Sequence, residues 1–363
     1  MLIDNRTTRS ARAWPTTLAD GSEALVVAAK ATFEQPLGTT TWRAGRPPTW
    51  IEADVFTGDP ATSAPLLETD FTPTKPACDV IIIGHAHPLA ADPYATRCIA
   101  GLRCGPIDKA WAVVGERTWQ RRLFGWRASE PTPLTRVPLH YGSAFGGMDV
   151  LHPDHTRRRM HQGNPIGFGF FGDAPKDLIT GQVLPAFEAI EDPPRSPEVE
   201  HRAVAAGVIG RGWIPRRALA GTYDEAWQEQ RAPFLPADFS PRYFNSAPPD
   251  QQMPFPVGGE VVDLANLTAD GWWTFALPTL NEAVEVFPIR GESLSAALVV
   301  DTVVIEPDAR RVTLTARAAI PLPGEIEEIE RVVVGPVSAG WRTARRLGKR
   351  WRPHTATPAG AGP

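Results

Sequence analysis

A pair of alternating segments near the C-terminus constrains the fold more than any other part of the chain. Residues 298–306 and 311–320 are two apolar, β-branched runs separated by the tetrapeptide Pro-Asp-Ala-Arg. In the second run Val312, Leu314 and Ile320 alternate with arginine and threonine side chains. A period of two with one polar side is typical of a strand that has one face on a core and the other in water. The sequence therefore predicts a hairpin at the side of a sheet or sandwich.

The proline content extends this interpretation to the rest of the chain. The 363 residues include 38 prolines, about twice the usual share, which disfavours long helices and favours short strands joined by turns. Segments with strand character are 24–33 (with a short helix as the alternative), 49–56, 78–87, 97–104, 110–114, 117–126, 271–277 and 327–334. Residues 218–231 are the best helix candidate, with Thr222 as N-cap and Glu225 completing a capping box.

Two of the predicted strands carry a burial signal. The run from 80 to 83 is continuously β-branched, which indicates burial on both faces. Residues 97–104 alternate, so that the side chains sharing one predicted core face are Cys98, Ala100, Leu102 and Cys104. Spacings of about ten residues between such strands are typical of antiparallel sheets.

These patterns predict a mainly β fold, as an antiparallel β-sandwich or barrel-like sheets with long glycine- and proline-rich loops and one or two short helices. We expect residues 1–340 to form one large β-rich domain. The alternative is two packed β subdomains, at about 1–140 and 255–340, bridged by a loop-rich centre at 141–254. Residues 341–363 are basic and then rich in Pro, Ala and Gly, and we expect them to be partly disordered.

Charge and cysteine usage limit the classes of function. The net charge of −4 gives no general affinity for nucleic acid or an anionic membrane. Three cysteines are an odd number for a disulfide framework and fit a reducing cytosol. Neither a signal peptide nor an apolar run of membrane-spanning length is visible. We therefore expect a soluble cytoplasmic protein that binds neither membrane nor nucleic acid.

The segment 137–172 combines seven glycines with four phenylalanines. Glycine gives access to positive φ and to close backbone approach at an entropic cost. Because many glycines occur here beside bulky aromatic residues, we predict that this segment forms loops with a defined, ordered conformation. The glycines do not match a phosphate-binding pattern, because no Gly-Lys-Ser/Thr follows and prolines interrupt the segment.

His85 and His87 are the strongest candidates for metal chemistry. Residues at i and i+2 of a strand share a face, which is how some metal hydrolases present two imidazoles. Further donors are available at His140, His152, His155, His161, Asp149 and Asp154. The alternative interpretation is that both histidines bond to the backbone at a strand end.

Other catalytic patterns are incomplete. Ser143 lacks the second glycine of a nucleophile elbow, since Phe145 occupies that position. The three cysteines match no metal spacing and are expected in the core. Asp149 with Glu188, or Asp250 with Glu260, would supply a carboxylate pair for glycoside chemistry, but nothing in the sequence sets their separation.

Loop aromatics favour a different function. Twelve tryptophans occur, several beside irregular segments, and tryptophan, tyrosine and arginine are enriched in interface hot spots. We predict a partner-binding surface around 145–172 and 223–252. The side chains assigned to it are Phe145, Phe168, Phe170, Tyr223, Trp227 and Phe244.

Ten phrases, in order over about residues 10–320, resemble the bacterial family catalogued as domain of unknown function 2169. They are VVAAKATF (26–33), FTPTKPACDVIIIGHAHP (71–88), VVGERTW (113–119), PLTRVPLHYGSAFGG (133–147), NPIGFGF (164–170), LPAFE (184–188), AGTYDEAW (220–227), LPADFSPRYFNSAPPDQQ (235–252), GGEVVDLANLT (258–268) and DTVVIEPDARRVTLTAR (301–317). Two positions depart from the family pattern. His140 to Ser143 replace an arginine-containing phrase, and Ala186 stands where asparagine is common.

The resemblance implies a non-catalytic cytoplasmic adaptor or chaperone that holds a type VI secretion effector and passes it to the spike or its PAAR tip. It carries over no catalytic residue and implies no cofactor. The hypotheses left open are a metal-dependent hydrolase using His85 and His87, and a structural part of the secreted spike itself.

Overall fold

Short strands dominate the computed structural model, which describes residues 1–18, 20–88 and 91–351. The strands of the N-terminal part are β1 (Leu2–Asn5), β2 (Ser10–Thr17), β3 (Glu23–Glu34), β4 (Arg43–Ala44), β5 (Val55–Phe56), β6 (Pro65–Leu67), β7 (Cys78–Ile82), β8 (His85–Ala86), β9 (Arg97–Cys104), β10 (Ile107–Val114), β11 (Arg117–Arg122) and β12 (Gly125–Ala128). Those of the centre are β13 (Val137–Pro138), β14 (Phe145–Gly146), β15 (Phe168–Gly169), β16 (Val183–Leu184), β17 (Phe187–Glu188) and β18 (Gln252–Met253).

The C-terminal part adds seven strands. They are β19 (Val261–Ala265), β20 (Trp272–Ala276), β21 (Ala283–Pro288), β22 (Leu294–Ala297), β23 (Val299–Glu306), β24 (Arg311–Pro321) and β25 (Ile329–Val334). Three short α-helices occur in the described chain: α1 (Lys176–Ile179), α2 (Glu225–Gln230) and α3 (Ala339–Arg346). The predicted mainly β fold of antiparallel sheets with long loops is confirmed.

The largest sheet has seven strands drawn from both ends of the chain. Its order is β18-β7-β23-β24-β3-β2, with β4 paired to β3. The predicted hairpin is β23–β24, and β24 runs antiparallel to β3 along its whole length. Strand β7 pairs in parallel with β23, so a strand near residue 80 reaches its partner more than 200 residues later.

A five-stranded sheet, ordered β17-β10-β9-β19-β20, covers one face of the seven-stranded sheet. The face predicted from 97–104 is buried as expected, since Cys98, Ala100, Leu102 and Cys104 all belong to the main hydrophobic cluster. That cluster also takes alternate residues from β3, β7, β23 and β24. Of the β-branched run predicted at 80–83, Val80, Ile81 and Ile82 lie in β7 and are buried, whereas Ile83 follows the strand and is half-buried.

The prediction that the polar face of β24 is exposed to solvent is wrong. Thr315 and Arg317 are buried, and Arg317 is only 1% exposed. Asp70, in the segment between β6 and β7, lies on this face, where its carboxylate accepts a hydrogen bond from Lys30 Nζ at 2.7 Å. The sheet is therefore covered on both sides, one side being apolar and the other charged.

The predicted helix at 218–231 is wrong in its extent and in its cap. The α-helix spans only Glu225–Gln230. Its N-cap is Asp224, whose carboxylate accepts from Trp227 N at 2.8 Å. Thr222 instead donates through its hydroxyl to Asp238 at 2.8 Å.

Two other segments differ from their predictions. Only Val55–Phe56 of the predicted strand at 49–56 is a strand. The helix Ala339–Arg346 occupies the start of the basic C-terminal segment, where Glu285 accepts from Arg342. The last part of the predicted tail, 352–363, lies outside the described residues. No helix in the described ranges combines the length and apolar character needed to cross a membrane.

Candidate functional site

A cleft of about 540 Å³ joins the two segments that the sequence separately assigned to a partner-binding surface. His161, Gln162 and Gly163 line it from the glycine-rich segment, and residues 248–250 (Pro-Pro-Asp) line it from the second segment. Ile214 and Pro215 complete the apolar part of its wall. We call it the proline cleft.

A second cleft of about 390 Å³ is lined by direct sequence neighbours of residues that line the first, such as Met160 beside His161 and Trp213 beside Ile214. Met148 and Met160 line it together with Phe56, Ile166 and Trp213, and we call it the methionine cleft. The two methionines pair across an isolated antiparallel bridge and are partly exposed. Methionine is flexible and polarisable, which suits a surface that must fit an irregular partner.

A narrow ridge separates the two clefts. It forms where Ile214 N donates to Gln162 O at 3.0 Å, which ties the glycine-rich segment to the loop at 209–215. This hydrogen bond connects the walls of the two clefts, and we refer to the two clefts and this ridge as the loop face.

The glycine-rich segment holds the loop face through close backbone approach. Gly147 has φ of +102°, and a Cβ there would lie 2.5 Å from Gly167 O. The buried Asn164 amide donates to Tyr141 O at 2.9 Å and to Phe145 O at 3.0 Å. Gly147 N in turn donates to Asn164 O at 2.8 Å. These buried bonds make the segment an ordered loop system.

The six aromatic residues assigned to the interface occupy different environments. Phe145 and Phe170 are 0% and 1% exposed and lie in a small hydrophobic cluster with Trp119 and Leu184. Their rings fix the loop from inside and are not part of its surface. Phe168, in β15, is partly exposed.

The remaining three lie in the second segment. Tyr223 and Trp227 stack edge-on with ring centroids 4.7 Å apart, at the start of α2. Tyr223 is exposed. Phe244 is half-buried and packs against Phe239 at 5.4 Å. None of the six lines either cleft; the lining residues His161, Met160 and Ile214 were not assigned to the interface from the sequence.

Both histidines at the proline cleft are engaged in holding backbone. His161 Nε2 lies 2.8 Å from His201 O, and its Nδ1 accepts from Asn164 N at 3.0 Å. His201 Nδ1 lies 3.1 Å from Asp192 Oδ1, while its Nε2 accepts from Arg195 N at 3.2 Å. With both ring nitrogens occupied, these side chains position loops.

The buried Lys109 holds the charged rim of the proline cleft in place. Its ammonium donates to Ala205 O, Asp250 Oδ1 and Gln251 Oε1 at 2.7–2.8 Å. Burial lowers the pKa of Lys109 to about 8, against the opposing effect of Asp250. Asp250 also accepts from Arg202 at 3.0 Å on the solvent side. The rim is therefore a fixed Lys–Asp–Arg chain.

The predicted metal ligands contact a carboxylate. His85 Nδ1 and His87 Nε2 lie 2.8 and 2.7 Å from the two oxygens of Asp308, which also accepts from Arg136 at 3.0 Å. Burial raises the pKa of Asp308, but the hydrogen bonds from His85, His87 and Arg136 outweigh it and leave the pKa below its usual value. Within the described chain, no group of three or more His, Cys, Asp or Glu side chains has the arrangement of a metal site.

The other catalytic candidates are buried or paired. Burial raises the pKa of all three cysteine thiols, that of Cys104 to about 12. Ser143 is buried in a short 3-10 turn. Of the acids, Glu188 accepts from Arg117 at 2.6 Å, and Glu260 accepts from the backbone at Val257 and Gly258.

Sequence reasoning missed the charged layer beneath β24. Lys30, Asp70, Lys75, Asp79, Asp301 and Arg317 form linked buried ion pairs. The only local signal was a lysine inside an apolar strand, at position 30. The pairs join segments up to 247 residues apart, which no periodicity reveals.

A family model described as "Uncharacterized protein conserved in bacteria (DUF2169)" matches residues 20–317. The match includes both cleft-lining segments and the strands of the seven-stranded sheet, except for β2 and the last four residues of β24. No curated protein and no solved structure gives a significant match.

Proposed function

The chain belongs to the bacterial DUF2169 family, and from this premise we propose that it is a cytoplasmic adaptor that binds a type VI secretion effector and presents it to the spike or PAAR tip. In this proposal the loop face is the effector-binding surface. The function is binding, and no reacting group is assigned.

The observation that supports the proposal best is the construction of the loop face. Two adjoining clefts are lined by proline, methionine, isoleucine and tryptophan, with a rim of charged residues. Apolar concave surfaces with a few fixed polar groups are the usual form of binding sites. Because buried hydrogen bonds from Asn164 and Lys109 hold the walls, little ordering entropy opposes binding.

The clefts suit an extended or looped segment of a partner protein. Together they form a ridge-and-groove surface, and the exposed methionines at its edge tolerate different side chains. An effector that is held before secretion would contact such a surface through a chain segment. The link to secretion itself rests on the family resemblance.

The proposal is tested by co-purification with the protein products of neighbouring genes. We expect a stoichiometric complex with one of them. Met160→Asp and Ile214→Asp place a charge on each side of the ridge, at side chains that are each 39% exposed. We expect each to weaken the complex about tenfold or more, because a carboxylate must lose its water to enter an apolar contact.

Leu37→Asp is the matched control, since Leu37 is highly exposed and lines neither cleft. All three variants should keep the wild-type melting temperature. A complex that Met160→Asp and Ile214→Asp leave intact would place the interface elsewhere. A purified chain with no partner but a stoichiometric metal would instead support the hydrolase hypothesis at His85 and His87.

A further inference from the structure

The hairpin β11–β12 ends in the two most exposed large apolar side chains of the described chain. Leu123 is 89% exposed and Phe124 is 92% exposed. They form the two-residue turn between Arg122 and Gly125, which pair across the hairpin. Two adjacent bulky apolar residues project into solvent at one point.

The turn itself does not require these residue types. Hairpin turns favour Gly, Asn, Asp, Ser and Pro, which supply the necessary dihedral angles or local hydrogen bonds. Here Gly125 takes the positive φ, at +94°. Leu123 and Phe124 supply neither a positive φ nor a side-chain hydrogen bond to the turn. The structure of the folded chain therefore does not explain why these two positions are apolar.

The hairpin presents its tip on a rigid base. Trp119 is fully buried and packs edge-on against Trp126, with ring centroids 6.4 Å apart. Its indole Nε1 donates to Gly169 O at 3.0 Å, which attaches the hairpin to the glycine-rich segment. The tip is therefore held in a defined position relative to the loop face.

Three arginines surround the tip. Arg121 and Arg127 pair with Asp177 and Glu130 at 3.0 and 2.8 Å. Arg122 has no carboxylate partner among the described residues, and donates to Gln120 Oε1 at 3.2 Å. Of the three arginines, Arg122 is thus the one whose charge is not balanced by a carboxylate among the described residues.

We propose that Leu123 and Phe124 insert into an apolar pocket with an acidic rim on the partner protein. The proposal rests on the proposed function, because the partner is the protein that the adaptor carries. The apolar pair fills the pocket, and Arg122 meets the rim carboxylates. The tip is then a second contact, separate from the clefts.

The neighbouring carboxylates favour a protein over an anionic membrane as the occupant. Asp177 and Glu130 are highly exposed beside their arginines and would approach an anionic surface together with them. A pocket on a protein can present a carboxylate at one position only. That carboxylate can face Arg122, which has no carboxylate partner among the described residues, without approaching Asp177 or Glu130.

The test compares the tip variant Leu123→Ser/Phe124→Ser with the matched control Leu37→Ser/Val257→Ser, in the full chain co-purified with its partner. Both variants remove two highly exposed apolar side chains. We expect the tip variant to raise Kd about tenfold or more and the control to change it less than about twofold. Arg122→Glu should also weaken binding, and the wild-type complex should weaken between about 50 and about 300 mM NaCl. Unchanged melting temperatures would show that the variants are folded.

Each contrary result is distinguishable. Retained affinity in the tip variant, with affinity lost in Ile214→Asp, would overturn the tip proposal and leave the proposed function standing. Lost affinity in the tip variant with none lost in Ile214→Asp would support the tip and remove the clefts. A wild-type chain with no protein partner overturns both. Sedimentation with vesicles containing about 30% phosphatidylserine, or self-association, abolished in the tip variant, would overturn the choice of occupant.

Discussion

At the scale of single residues, the side chains that hold this fold together include an unusual number of buried charges. Arg317 contacts Asp301 and donates to Asp70 O at 3.0 Å, from a strand whose sequence predicts a solvent-facing position. Burial of a charge is unfavourable unless a partner and hydrogen bonds compensate for it. Loss of one charged side chain from this layer would therefore leave its partner buried without an opposite charge, which destabilises the fold.

Removing one member of this pair should be costlier than removing both. We expect Arg317→Met to lower the free energy of unfolding by about 3–5 kcal/mol, because Asp301 is left buried and unpaired. The double variant with Asp301→Leu should recover part of that loss. Urea unfolding of the four proteins in the cycle measures the coupling.

Arg103→Ala is the control, since Arg103 pairs with Asp108 at an exposed position. It should change stability by less than about 1 kcal/mol. Equal losses in Arg317→Met and Arg103→Ala would show that the buried pair is not required for stability.

At the scale of elements, the glycine-rich segment lies between a small core and the proposed binding surface. Phe145 and Phe170 point into the cluster beneath it, while the clefts open on the side of Met160 and Gln162. The hairpin β11–β12 packs on the same cluster through Trp119. One small core thus positions both proposed contacts.

Phe168 and Phe170 should therefore respond differently to truncation. Phe170→Ala empties a buried site, and we expect it to lower the free energy of unfolding by about 3–5 kcal/mol. Phe168→Ala removes a partly exposed ring and should lower it by about 1 kcal/mol. Thermal or urea unfolding of the two single variants makes the comparison. Similar losses would contradict the inward and outward positions of the two rings.

At the scale of the whole molecule, the two ends of the chain build the same sheet. Strand β3 lies beside β24, and β7 lies beside β23. Strand β1 also pairs in parallel with β25. Four strands of residues 1–140, namely β1, β3, β7 and β9, therefore each pair with a strand beyond residue 250.

This topology predicts that neither part folds alone. A fragment of residues 1–140 would expose the edge of β3 that pairs with β24 and both edges of β7. We expect this fragment to lack a cooperative unfolding transition. Co-expression with residues 141–363 should restore a complex with native-like protection in amide hydrogen exchange. Cooperative folding of 1–140 by itself would support the alternative of two β subdomains.

Local patterns predicted the elements that depend on neighbouring residues. The alternation at 97–104 and 311–320 correctly predicted strands, and the run at 80–83 predicted a buried strand that includes Val80 to Ile82. The predicted cap at Thr222 was wrong because a carboxylate 16 residues away, Asp238, competes for its hydroxyl. The polar face of β24 was also wrong because another segment covers it.

For the candidate site, too, local sequence patterns were informative only where no contact between distant segments was involved. Composition led to the prediction of an interaction surface at 145–172 and 223–252, and residues of both segments line the proline cleft. Aromatic content then pointed to Phe145 and Phe170, which the structure places in a core. Exposure depends on the folded neighbours, so composition alone does not distinguish side chains that face outward from those that face a core.

By itself, the sequence determined the mainly β class, the periodicity of the long strands and the family to which the chain belongs. Those properties come from side-chain volume, branching and alternation, which act over a few residues. The tertiary structure decided which polar residues are buried in pairs, which aromatic rings face inward and where the clefts lie. Those properties arise from contacts such as that between Arg317 and Asp70, 247 positions apart, which exist only when the whole chain is folded.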